Sequence, residues 1–167
     1  MIAHHQILEN LGRAVAGSAA VLEYCQAHFG RGLLVHVGAY ADRIPGEAES
    51  PFLWIFAEGQ NSTIAKDESF VATFIVGACP LSSRGERVIE NEIAARTDDA
   101  NGLVVSGGGA QVEDLRDLIL GIVRAAKPGA RVASFTRSEN NLSHQPLEWA
   151  VFEVELVLDI SLDEIGG

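Results

Sequence analysis

Residues 103–115, LVVSGGGAQVEDL, place three consecutive glycines between an apolar run and a helical pattern. That is the outline of a phosphate cradle, in which backbone N–H groups and a helix N-terminus hold an anion. A Walker loop needs Lys and Ser or Thr directly after the glycines. Here Ala110, Gln111 and Val112 stand in those places. A dinucleotide fingerprint needs the spacing G-x-G-x-x-G, which Gly107, Gly108 and Gly109 do not provide. Glu113 and Asp114 follow and would repel a phosphate. The plainer reading is a flexible joint leading into a helix that starts near residue 112. Use of the 106–110 glycine loop as a small-molecule or nucleotide site is the alternative.

The remaining reactive side chains form no recognisable constellation in the sequence. His4 and His5 are adjacent, and Glu9 lies four residues after His5, on one helix face. Two ligands near a chain end are a weak metal signal. His28, His36 and His144 have no partner at ligand spacing. No G-x-S-x-G elbow is present. Cys25 falls within a helical pattern, with no basic neighbour to lower its pKa. Glu153 and Glu155 share one strand face and could pair as acid and base, although a solvated face explains them as well. The expectation is therefore a protein that is not an enzyme, with no catalytic residue, no cofactor and no metal.

The elements that must position these residues follow from hydrophobic periodicity. Residues 3–28 carry Ile7, Leu8, Leu11, Val15, Leu22 and Cys25 at three- and four-residue steps, which predicts one amphipathic helix ended by Gly30 and Gly32. Residues 33–38, 52–57 and 69–79 read as strands, the last two as an antiparallel pair. The segment 41–51 is a polar loop with Pro45 and Pro51. Residues 81–111 have little periodicity and hold the turn signal Asn101-Gly102, so they read as a candidate hairpin arm. A second helix is predicted over 112–127 and a short strand over 131–136. The last strand, 147–160, alternates cleanly. Ala150, Phe152, Val154, Leu156, Leu158 and Ile160 share one face, and Glu153, Glu155 and Asp159 share the other.

The predicted architecture is a single α+β domain over 1–167, a mostly antiparallel sheet with two main helices on one face. Length and an apolar fraction of 47% suit one core. The formal net charge is −11. Such a surface repels phosphate backbones and anionic membranes, so ordinary nucleic-acid binding is not expected. Between Leu147 and Gly167 lie six acids and no Lys or Arg. Two cysteines in this length make no disulfide framework, and both read as buried thiols. The N-terminal residues lack the basic and apolar blocks of a secretory signal, and no apolar run reaches the roughly 18 residues of a membrane helix.

This layout resembles the tail terminator, or tail completion, proteins of long-tailed bacteriophages. The resemblance is carried by the N-terminal helix, then LLVHVGAYADRIPGEAESPFLWIFAEG, SFVATFIVGA, VEDLRDLILGIVRAA and HQPLEWAVFEVELVLDI, in that order over most of the chain. It implies a structural virion protein, assembled in the host cytoplasm and located at the neck of the particle. Such proteins form a ring, expected as a hexamer, on the head-proximal end of the tail tube. They stop its polymerisation and join it to the head connector, while DNA passes through without specific binding. Partners would be further copies of the chain, the tail tube protein and the connector or stopper protein. Candidate interface residues are Asp42, Arg43, Ile44 and Glu47 in the loop, and Arg84, Arg87 and Glu90 in the arm. Glu153, Glu155 and Asp159 are candidate lumen or partner-facing acids. Another head–tail connector, a stopper or neck protein, is the alternative within this class.

Overall fold

The computed structural model describes residues 4–38, 45–57, 69–79, 107–135 and 147–157. Three helices, α1 (His4–Ala16), α2 (Ala19–Phe29) and α3 (Gly107–Ala126), cover one face of a five-stranded sheet. The strands are β1 (Leu34–Val37), β2 (Phe52–Ala57), β3 (Ser69–Ala78), β4 (Arg131–Phe135) and β5 (Glu148–Val157). Their spatial order is β1-β2-β3-β5-β4. Only β1 with β2 is parallel among these neighbours; the other three pairs are antiparallel, as expected of an α+β fold.

The predicted single helix over 3–28 is two helices. Gly17 donates to the Arg13 carbonyl at 2.9 Å and Ser18 to the Val15 carbonyl at 3.1 Å, closing α1. The Ser18 hydroxyl then accepts from the Val21 N–H at 3.3 Å and caps α2. This break changes the phase of the apolar stripe. Val21 is buried, whereas Leu22, expected in the stripe, is 47% exposed. Gly30 ends α2 with φ of 77°, a left-handed conformation that glycine takes without steric cost.

The second correction concerns the glycine stretch. Gly107, Gly108 and Gly109 form the first turn of α3 instead of a joint ahead of it. Glycine is a poor helix former, but the helix is held further along by burial of Val112, Leu115, Ile119 and Val123 against the sheet and the other helices. Glu113 and Asp114 consequently sit beyond the first turn. Of the candidate arm, only residues 107–111 lie among the described residues, and they are helical.

The core lies between helices and sheet. Ile7, Leu8, Leu11 and Val15 of α1 join Val21, Cys25 and Phe29 of α2 above Leu53, Ile55, Phe74, Phe152 and Val154. The Phe74 and Phe152 rings, cross-strand partners, stack at 4.7 Å. Gly12 lets α1 approach β1 closely, since a Cβ there would stand 2.8 Å from a Val37 methyl. On the opposite face a smaller apolar cluster gathers Phe52, Cys79 and Leu147 with Trp54, Ile75 and Trp149.

Candidate functional surface

The period-two pattern of β5 puts Trp149, Val151, Glu153, Glu155 and Val157 on the sheet face turned away from the helices, because Ala150, Phe152, Val154 and Leu156 are consumed by the core. Register supplies the neighbours. Glu153 is opposite Thr73 of β3 and Ser134 of β4; Glu155 is opposite Val71 and Arg131. The Ser134 hydroxyl donates to Glu153 Oε2 at 2.8 Å, and the Ser69 hydroxyl donates to Glu155 Oε1 at 2.7 Å. Each carboxylate thus accepts from a serine of a flanking strand, Glu153 from β4 and Glu155 from β3. That arrangement aims two half-buried acids outward from a rigid sheet.

The same face changes character along the strands. Towards the other end of β5 it becomes aromatic, with Phe52 edge-on to Trp149 at 6.1 Å and Trp54 against Phe56 at 4.5 Å. Gly77 sits between Phe52 and Trp149 in register and leaves room for the Phe52 ring. The Trp54 indole donates to the Gly38 carbonyl at 2.6 Å.

Glu47 belongs to a short 3-10 turn, Glu47–Glu49, before β2. Its side chain is exposed, while its carbonyl accepts from Arg31 at 3.4 Å. Arg31 also donates to the carbonyls of Ala48, at 2.7 Å, and Ser50. Ser50 is fully buried, and its hydroxyl accepts from the Cys79 N–H at 2.7 Å. The Ser50–Pro51 peptide is cis. The loop that carries Glu47 is therefore tied to the end of α2 and to β3. Asp42, Arg43, Ile44, Arg84, Arg87, Glu90 and Asp159 lie outside the described residues, as do Leu158, Ile160 and His144.

The histidines occupy separate places. His4 stacks on Phe70 at 4.3 Å, His5 Nε2 lies 2.8 Å from Glu9 Oε1, and His28 packs against the Tyr24 ring at 4.2 Å. Among the described residues no three His, Cys, Asp or Glu side chains come together in a way that could hold a metal. Cys25 and Cys79 are free, buried thiols. Burial pushes the Cys25 thiol up to about 12, so it is protonated and unreactive at neutral pH. No helix among the described residues is long and apolar enough to cross a membrane.

Two residues escaped the sequence reading. Arg116 is only 5% exposed. Its guanidinium lies 3.7 Å from the centroid of the Phe135 ring and 3.1 Å from Asp117 Oδ1, fastening α3 to β4. A charged residue in a helix that also carries Glu113, Asp114, Asp117 and Arg124 gave no signal of burial. Tyr24 donates its hydroxyl to the Gln111 carbonyl at 3.0 Å, linking α2 to α3. Burial, then the Asp114 charge, pushes that phenol up to about 12. No protein-family model matches the chain, and no curated protein matches it either.

Proposed function

We propose that this chain is a ring-forming tail terminator, a structural virion protein that caps the head-proximal end of a phage tail tube, stops its polymerisation and provides the joint to the head connector. The observation that supports the reading is the outward acid rung, Glu153 and Glu155, fixed by Ser134 and Ser69 on the sheet face opposite the helices. A wall of this kind in a chain of net charge −11 offers phosphates no counterion-release gain, which suits a lumen that DNA must traverse without adhering. The rigid sheet serves a job of positioning and requires no bond chemistry.

The test is assembly. Particles made without the protein would carry overlong tubes under electron microscopy, and adding the purified protein would restore their length. Tails of normal length beside unattached heads would move the assignment to a stopper or neck protein. A strict monomer at high concentration that does not bind tail tubes would sink the reading altogether.

A further inference from the structure

The glycine stretch takes no part in the surface described above, yet its place in α3 is unusual. Gly107, Gly108 and Gly109 open the helix, and no acid lies in its first turn. Glycine gives up more backbone freedom on entering a helix than any other residue, and an acid there would have complemented the helix dipole. Packing starts later: among the described side chains of α3, Val112 and Leu115 are the first that are fully buried. Gln111, half-buried just before them, carries a second penalty. Its side-chain oxygen is buried and accepts no hydrogen bond among the described residues. Against these costs stands the Tyr24 hydroxyl of α2, which donates to the Gln111 carbonyl at 3.0 Å. Burial keeps that phenol protonated up to about pH 12, so the donor is present at any working pH.

We infer that residues 107–111 are a separately opening latch. Helix α3 then has two lengths, Gly107–Ala126 when Tyr24 holds the turn and 112–126 when it lets go. Three glycines and an orphaned acceptor oppose the closed turn, whereas Val112, Leu115, Ile119 and Val123 pin the remainder to the core in either state. Opening lets the Gln111 side chain reach water. It also lengthens the chain that leads into Val112. Residues 107–111 rise about 1.5 Å each as helix and about 3.3 Å each when extended, a gain of roughly 9 Å. The device lets the chain ahead of α3 shift while the core stays packed. It goes beyond the reading above and stands whether or not the protein caps a tail tube.

Amide hydrogen exchange on the full chain tests it. Unlatching removes the carbonyls of residues 107–111 as acceptors for the amides of residues 111–115. In the unaltered protein those amides exchange at least roughly tenfold faster than the amides of residues 119–123. Tyr24→Phe keeps the ring, loses the donor and widens that ratio about fivefold. Gln111→Met removes the orphaned oxygen and narrows it by about fivefold. Gly108→Ala with Gly109→Ala narrows it by roughly tenfold, since each glycine costs at most about a fivefold factor relative to alanine in a helix. The ratio is the readout because a merely structural loss speeds both sets of amides together. Equal protection of the two sets in the unaltered protein overturns the inference, as does a ratio that none of the three variants moves.

Discussion

Replacing Gly77 by alanine tests how tightly the aromatic end of the open sheet face is built. A Cβ at this position would stand 2.3 Å and 2.5 Å from the Phe52 ring atoms Cζ and Cε1, and 3.0 Å from Cε2. The ring has little room to retreat, since Phe52 is fully buried among Cys79, Leu147 and the edge of Trp149. Overpacking of this kind costs about 1–3 kcal/mol. Loss of glycine's unfolded-state freedom offsets roughly 0.5–1 kcal/mol of that. The net expectation is about 1–2 kcal/mol of destabilisation, which for a chain of this size lowers the melting temperature by about 2–8 °C. The three clashing atoms are ones that leucine lacks. Phe52→Leu alone leaves a cavity and destabilises. Combined with Gly77→Ala it should cost less than the sum of the two by roughly 1 kcal/mol, because the new methyl occupies vacated space. Calorimetric melts of the four proteins measure this. A Gly77→Ala protein that melts at or above the parent temperature, or penalties that simply add, would refute the packing argument.

Three further outcomes follow from other contacts. The native state keeps the Cys25 and Tyr24 protons to about pH 12, whereas the unfolded chain releases them nearer 9 and 10, so stability falls as pH rises above about 9. Urea melts between pH 8 and 11 should show this loss, and Cys25→Ala should flatten part of it. Arg31→Ala removes the donor shared by the Glu47, Ala48 and Ser50 carbonyls and should cost roughly 1–3 kcal/mol in chemical denaturation, with Arg31→Lys recovering only part because it lacks the planar fork. Ser18→Ala removes the α2 cap and should cost about 1 kcal/mol, whereas Ser18→Asp should retain most of the stability.

The strands show how much periodicity alone can say. β2 has its predicted bounds, and β1, β3 and β4 differ from theirs by a residue or so, because short β-branched and aromatic runs fit an extended, pleated backbone better than a helix. In β5 the alternation of Phe152 and Val154 with Glu153 and Glu155 is enough to assign the wet face, since Phe152 and Val154 are fully buried and the two acids are not. The helices were harder. The stripe that leads to Leu22 suits one continuous helix, whereas the break at Gly17 and Ser18 shifts its phase and buries Val21 instead. The preference of Ser18 for capping over continuing was the available signal. The glycines at 107–109 misled in the opposite sense, since their poor propensity is overridden by tertiary packing further along α3.

The sequence by itself determined which residues are apolar and at what period. That is enough to separate helix from strand and to place the acids of β5 on one side. The tertiary structure decided what those residues meet. It set β5 between β3 and β4, so that Ser69 and Ser134 reach Glu155 and Glu153, and it buried Arg116 under Phe135. The physical reason is range. Periodicity records whether a side chain leaves water, a property of its own chemistry. Register and strand order depend on pairings between segments dozens of residues apart, which no local pattern encodes.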